Sequence, residues 1–366
     1  MTRKLTATEL FFALVRCSIG TADILPIAPT REQWEELFDI ARKQALQGVA
    51  FEAIGKLPKE QRPDAEILLP WYNDSEIIKS KNDDLTRKAV ILSDKFREEG
   101  FENCILKGQG IARYYPNPRL RVSGDIDLWL NGGCDRIISY VRELLPESKS
   151  VYHHIDFPMF DDVDVEIHYR PTWLCNPLYN SRLQKFFTAA AKEQFANTAS
   201  TEFGMLHMPT VTFNLIYIQL HIFRHLFDEG IGLRQVMDYY FVLQQEMSHE
   251  EKRLCVKTLK SIGQYRFARA LMYVLKEIFD IDRERMIVEP DSRYGMFLLN
   301  EIMAAGNFGQ HDTRYIQTKR GFSAARLKMW ARRSIRLMKY SPEEILWDPY
   351  FKIRNLCWRL RRNKRK

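Results

Sequence analysis

Two textures of hydrophobic spacing alternate along the chain. From Thr8 to about Arg97 apolar residues recur three and four apart, in TELFFALVRC, REQWEELFDIARKQALQGVAFEAI and DDLTRKAVILSDKFREE, which predicts amphipathic helices. Pro26, Pro29, Pro58 and Pro63 mark the loops between them. From Phe101 the period shortens: NCILKG, GDIDLWL, HHIDFPMF and VDVEIHYR read as short strands, with a helix-like CDRIISYVRELL between the second and the third. After Pro177 the helical period returns in SRLQKFFTAAAKEQF, VTFNLIYIQLHIFRHLF, LRQVMDYYFVLQQEM and KRLCVKTLKSIGQYRFARALMYVLKEIF. No self-similar period stands out, which argues against a solenoid. The pattern predicts an α+β protein, a small sheet-bearing core flanked by helical segments. Four regions follow: helical over 1–97, an α/β unit over 98–175, helical over 176–310 and a basic helical region over 311–366.

Composition narrows the class. With 366 residues, 45% of them hydrophobic, the chain has enough apolar surface to bury a core, which excludes wholesale disorder. Its apolar runs, such as Leu10 to Val15, fall far short of a membrane span. The first residues, MTRKLTATELFFALVRC, have a basic start, but Glu9 interrupts the apolar run, so they read as an amphipathic helix rather than a leader. Six cysteines (Cys17, Cys104, Cys134, Cys175, Cys255 and Cys357) form no C-x-x-C pair, so neither a zinc knuckle nor a disulfide framework is indicated, and a cytoplasmic setting is expected. The net charge of +8 is unevenly held: from Lys319 to Lys366 there are 16 basic and 3 acidic residues, which leaves the rest of the chain slightly acidic. That basic end could be a solvated helix end, or could make weak contact with an anionic surface, membrane or nucleic acid.

The residue types that carry chemistry are densest from Ile105 to Leu130. Strand alternation in Asp125-Ile126-Asp127-Leu128 puts both carboxylates on one face. Such a pair repels unless a cation lies between, and hard oxygen ligands suit Mg²⁺. An Asp-x-Asp alone is more often a solvated strand end, but a second acidic strand changes the weighing. In Val163-Asp164-Val165-Glu166-Ile167-His168, Asp164, Glu166 and His168 share a face. Were the two strands neighbours, three or four carboxylates would converge in a set able to hold two ions about 3.5 to 4 Å apart. Lys107-Gly108 ends the preceding strand ahead of a helix-like GIARYY, where backbone N–H groups can face an anion. Lys107 adds a point charge, and Arg119 and Arg121, just before the acidic strand, could clamp a triphosphate.

The run LKGQGIARYYPNPRLRVSGDIDLWL, followed by VDVEIHYRP, resembles the uncharacterised bacterial nucleotidyltransferase family of the polymerase-beta-like superfamily. The likeness lies in the Lys-Gly turn, the Arg four residues before the Asp-x-Asp strand and the Glu-x-His strand. It extends to WEELFDIARKQALQGVAFEAI, LHIFRHLF and LRQVMDYYFVL. It implies a mixed-sheet nucleotidyltransferase core and Mg²⁺-dependent transfer of a nucleoside monophosphate from a nucleoside triphosphate to an acceptor, with pyrophosphate released. In that scheme Asp125, Asp127 and Glu166 are catalytic and bind metal, while Lys107, Gly108, Arg119, Arg121, Gly124 and His168 bind substrate. Glu166 is favoured over Asp164 because it is longer and stands two residues before the histidine. Two features depart from the wider superfamily: Gly108-Gln109 replaces the usual Gly-Ser, and about 17 residues separate Gly108 from Asp125.

The acceptor is left open among a small molecule, a protein side chain and an RNA end. Two other readings remain at this point, a metal-dependent glycosyltransferase, which needs a larger Rossmann-like sheet, and a non-catalytic nucleotide-binding protein. His221 and His225 share a helical face but lack the Glu of H-E-x-x-H, so zinc hydrolysis is not supported. The resemblance places the helical pair LHIFRHLF and LRQVMDYYFVL next to the site, so that His221, Arg234 and Asp238 could line the nucleoside or acceptor side of a cleft.

Overall fold

The structure, a computed structural model, describes residues 5–314 and 324–363. Of the basic C-terminal stretch, Lys319, Arg320, Lys364, Arg365 and Lys366 lie outside the described residues.

Three short helices open the chain: α1 (Ala7–Ile19), α2 (Arg31–Lys43) and α3 (Gln47–Lys56). Thr6 and Glu9 form a capping box on α1, and Thr30 and Gln33 form one on α2. The run read from the sequence as one helix through REQWEELFDIARKQALQGVAFEAI is broken at Gln44–Leu46, where Ala45 takes a left-handed backbone at φ 54°. α4 (Ala65–Glu98) is longer than its apolar spacing indicates. Its 34 residues carry Pro70 in the second turn, and Asp64 caps its first N–H groups.

The sheet unit follows as β1 (Asn103–Leu106), α5 (Gly108–Ala112), β2 (Asp125–Leu130), α6 (Cys134–Leu144), β3 (His154–Asp156) and β4 (Asp164–His168). Its order is β1-β2-β4-β3, with β2 and β4 parallel and both outer pairs antiparallel. A mixed sheet of four short strands amid helices makes the chain α+β. Beyond it come α7 (Pro177–Ala196), the hairpin β5 (Thr198–Thr201) and β6 (Gly204–His207), α8 (Val211–Asp228), α9 (Leu233–Leu243), α10 (His249–Ser261), α11 (Tyr265–Phe279), α12 (Ser292–Ala305), α13 (Ala324–Met338) and α14 (Pro342–Asn363). The hairpin TASTEFGMLH has no expected counterpart, because four-residue strands are too short to show a period.

Alternation along β2 and β4 divides the sheet's surroundings. Ile105, Ile126, Leu128, Val165 and Ile167 pack with Leu92 and Phe96 of α4 and Ile137 and Val141 of α6. On the opposite face Leu106 and Trp129 enter the larger core, where Trp129 meets Phe195 and Phe213 with ring centroids 4.7 and 5.6 Å away. That core also holds Leu10 and Leu14 of α1, Leu220 of α8 and Leu271 of α11, so helices from both flanks are buried together. At the β2–β4 edge of this interface the face carrying Trp129 also carries Asp127 and Asp125, one and two alternations earlier.

Candidate active site

Pairing of β2 with β4 sets Asp127 opposite Glu166 and Asp125 opposite Asp164. A slip of one residue would turn every acid toward the apolar core, so the alternating valines and isoleucines fix this register. Asp127 is buried, with its carboxylate between an ammonium and an imidazole: Lys107 Nζ lies 2.8 Å from Oδ2 and His168 Nε2 lies 2.8 Å from Oδ1. Lys107 also reaches Asp125, at 3.8 Å, which shows that the two acids share a face. Glu166 Oε2 receives His154 Nδ1 at 3.1 Å and His168 Nε2 at 3.2 Å. Asp164 is exposed and stands at the level of Asp125, away from this cluster.

Local backbone geometry aims Lys107. Its φ of 49° and ψ of −142° belong to a region that side-chain-bearing residues rarely occupy. Such backbone costs on the order of 1 to 3 kcal/mol and persists where surrounding structure holds it. Gly110 completes the turn, since a Cβ there would sit 3.0 Å from the carbonyl of Ile105. Burial alone would lower the Lys107 pKa, but Asp127 and Asp125 reverse this and hold the ammonium charged, well above its ordinary value.

The same balance recurs at the histidines. Burial opposes charge on His154, yet its bonds to Asp156 and Glu166 lift its pKa to about 9. His168 is raised likewise against its burial by Asp127 and Glu166. Glu166 would be raised by burial, but His154 and His168 hold it well below the carboxylate range. His153 moves the other way, pushed down by burial and by His154 and His168. It sits 3.0 Å from His154, nitrogen to nitrogen. Ring contact with Trp173 (4.1 Å between centroids) fixes its plane.

The donor set fits a divalent cation. One ligand atom each from Asp127, Glu166 and His168 falls within 4.8 Å of the others, and the same holds for His153, His154 and His168. Two carboxylates held together by an ammonium and imidazolium groups are the electrostatic arrangement that a metal ion replaces. His168 Nδ1 lies 3.3 Å from the carbonyl of Arg170, and donation to it leaves Nε2 as the ring's ligand atom.

The clamp expected of Arg119 and Arg121 is not formed. Arg119 pairs with Asp83 of α4 through two bonds, at 2.8 and 2.5 Å. Arg121 is buried and makes a two-pronged bond to Asp238 of α9, 2.7 Å on each prong, and a third bond to Ser123 Oγ. Tyr115 donates to the same Asp238 carboxylate at 2.7 Å. The physical reason is the loop's confinement. Asn82 of α4 donates to the carbonyls of Arg119 and Arg121, and Gly48 of α3 lets the Leu120 carbonyl approach to where a Cβ would clash at 2.5 Å. Arg121 is thus held inward, where only a carboxylate can balance it.

Gln109, together with His221 and Arg234, which were expected to line a cleft, belongs to the surroundings of this cluster. Gln109 is buried, and neither amide atom has a hydrogen-bond partner. Arg234 of α9 is also buried; it donates to the carbonyl of Val122 at 2.7 Å, two residues before Gly124, while its Nε is unpartnered. Burial and the neighbouring Arg121 lower the Arg234 pKa, because Asp238, already bonded to Arg121, compensates only in part. His221 of α8 is held neutral by burial and by Lys107, His225 and Arg234. Tyr217, one turn earlier, is fully buried near Lys107 and Asp127. Gly108 and Gly124 flank the site, at the start of α5 and directly before β2. A cavity of about 680 Å³ lies elsewhere: Trp129, Tyr169, Arg170 and Phe187 line it at the far ends of β2 and β4. The charged cluster, not that cavity, has the chemistry of a reaction centre.

No curated protein matches the chain. A family profile described as uncharacterised nucleotidyltransferase matches residues 30–280, from α2 through the sheet and α8–α9 to the end of α11. With more than half of its length matched, including every acid of the β2–β4 pair, the chain belongs to this nucleotidyltransferase family.

Proposed function

We propose that the protein transfers a nucleoside monophosphate from a nucleoside triphosphate to an acceptor, using Mg²⁺ and releasing pyrophosphate. The observation carrying this reading is the alignment of Glu166 with Asp127 on neighbouring strands, with Asp125 on the same face and Lys107 between the two aspartates. Asp125, Asp127 and Glu166 would hold one or two metal ions, which when bound neutralise the charge of the triphosphate and acidify the attacking group. An acceptor oxygen attacks the α-phosphorus, the bond from that phosphorus to the bridging oxygen breaks, and pyrophosphate departs. Once a metal ion takes the place of the histidine contacts that depress its basicity, Glu166 would take the acceptor proton. The acceptor is a hydroxyl or phosphate on a small molecule, protein or RNA, and a cytoplasmic, bacterial setting supplies the triphosphate. The four-stranded sheet is smaller than the glycosyltransferase reading requires.

With Arg119 and Arg121 bound to Asp83 and Asp238, the phosphate grip is reassigned to Lys107, Arg234 and Gln109. Lys107 neutralises the aspartates in the ligand-free protein; a divalent ion there would free its ammonium for a phosphate oxygen. Arg234 is an under-compensated buried cation and Gln109 an unsatisfied buried amide, and a polyanion relieves both. Gly108, Gly124 and His168 border the same space.

The direct test is incubation with each labelled triphosphate and Mg²⁺, following pyrophosphate release. Asp125→Asn and Asp127→Asn are expected to abolish Mg²⁺-dependent triphosphate binding in calorimetry. Unchanged titrations in both variants would refute the metal assignment. For Arg234→Ala the expectation is a triphosphate affinity lower by roughly 1.5 to 3 kcal/mol, the range of a charge-assisted contact, with monophosphate affinity little altered. Its melting temperature should not fall, since the variant removes a poorly balanced buried charge. Equal weakening of both nucleotides would contradict the role.

A further inference from the structure

We infer that α14 is an interfacial helix whose outer face lies on an anionic phospholipid surface. One side of α14 is tied to the body of the protein. Glu344 is buried against Arg224 of α8 and accepts the Cys175 N–H at 3.0 Å, and Phe351 stacks on Trp173 with the rings 9° from parallel. Farther along, Trp358 meets Tyr169, Arg142 donates to the Arg362 carbonyl at 2.9 Å, and Arg362 pairs with Asp135. Glu344, Phe351, Trp358 and Arg362 stand seven, seven and four residues apart and define an inward stripe.

The opposite stripe is apolar and exposed. Leu346, Tyr350, Ile353, Cys357 and Leu360 follow one another alternately four and three residues apart, and Leu356 widens the band. Leu346 is 68% and Ile353 64% exposed, values that a helix covered by its own protein would not show. Basic residues border this band on both sides, Lys352 and Arg359 along one edge and Arg354 and Arg361 along the other, all exposed. From Pro349 to Lys366 the sequence has 8 basic residues and no acidic one. Among the described residues no helix is long and apolar enough to cross a membrane.

Charge complementarity selects the occupant. An aliphatic centre between two basic rows matches acyl chains beneath anionic headgroups, with Lys and Arg stems reaching up to the phosphates. A second copy laid along the same face would set basic rows largely against basic rows, since Asp348 is already paired with Lys352 and Glu343 is the one exposed acid of α14. Single-stranded RNA needs a succession of aromatic platforms for its bases, and the stripe offers one ring, Tyr350, among aliphatic side chains.

The test uses the full chain with phosphatidylcholine vesicles, with and without phosphatidylglycerol, in a sedimentation assay that involves no nucleotide. Binding to the anionic vesicles at low salt is expected, with a blue shift of Trp347 emission, and much weaker binding to the neutral vesicles. Ile353→Glu combined with Leu360→Glu changes only exposed positions. It should lower partitioning by at least about tenfold with helix content unchanged, since both apolar anchors are lost. Arg354→Gln with Arg359→Gln should lower it and flatten its salt dependence. The inference is overturned if the folded protein ignores anionic vesicles at low salt, or if the double Glu variant binds them as well as the parent. A dimer in sedimentation equilibrium that dissolves in the double Glu variant would overturn it in favour of a second copy. Binding to a single-stranded RNA oligonucleotide as strong as to vesicles and unaffected by the double Glu change would overturn it too, since charge alone would then suffice.

Discussion

Replacing Asp238 by alanine is expected to destabilise the protein by about 3 to 5 kcal/mol, the cost of leaving a buried charge without its partner. Asp238 is 3% exposed and accepts from three donors, two on Arg121 and one on Tyr115. Its removal leaves two buried guanidinium groups, Arg121 and Arg234, as neighbours with no carboxylate of their own. A denaturation midpoint measured with and without the substitution checks this. Arg121→Met combined with Asp238→Leu should recover much of the loss, because apolar groups of similar size need no counter-charge. If Asp238→Ala is as stable as the parent, the ion pair is not what holds the loop before β2 to α9. The same pair explains why Arg121→Ala is expected to act on stability rather than selectively on triphosphate affinity.

The second large effect concerns the acid opposite Asp127. Glu166→Gln should still bind magnesium triphosphate within about tenfold of the parent, yet lose about a hundredfold or more in turnover, the scale of general-base loss. Binding survives because Asp125 and Asp127 keep their charge. Turnover suffers because the proton acceptor is needed most in the transition state. Asp164→Asn should do much less, since Asp164 is exposed and level with Asp125 rather than Asp127. Slow transfer to water provides a readout where the acceptor is unidentified. An Asp164→Asn variant without turnover beside an active Glu166→Gln would show that the roles of the two acids are exchanged.

How much was legible in the sequence depended on the range of the physics involved. Alternation is local, so Asp125 and Asp127 were placed on one face, and Glu166 and His168 on another, before any strand partner was known. The helical period likewise announced α1, α8 and α11, and the shift to short β-like runs announced a sheet unit between helical flanks. Pairing of the two acidic strands was a conjecture from their composition. It became a register only when Val165 and Ile167 found the apolar core beside Ile126 and Leu128.

Tertiary structure alone decided the partners of the charges. Arg119 and Arg121 stand next to the acidic strand in sequence, and nothing local distinguishes a phosphate ligand from half of an ion pair. Asp83 and Asp238, 36 and 117 residues away, made that distinction. Lys107 reads as a point charge at a strand-to-helix turn. Its strained backbone, and the aspartates that overcome its burial, follow from how β1 meets α5 beneath α8. Gln109 carried no signal as a ligand and Arg234 was pointed to by the resemblance alone, because an unsatisfied amide and an unbalanced buried charge are properties of the packed neighbourhood. Periodicity is written in the chain within a few residues, whereas electrostatic balance in a low-dielectric interior is a sum over whatever the fold brings near.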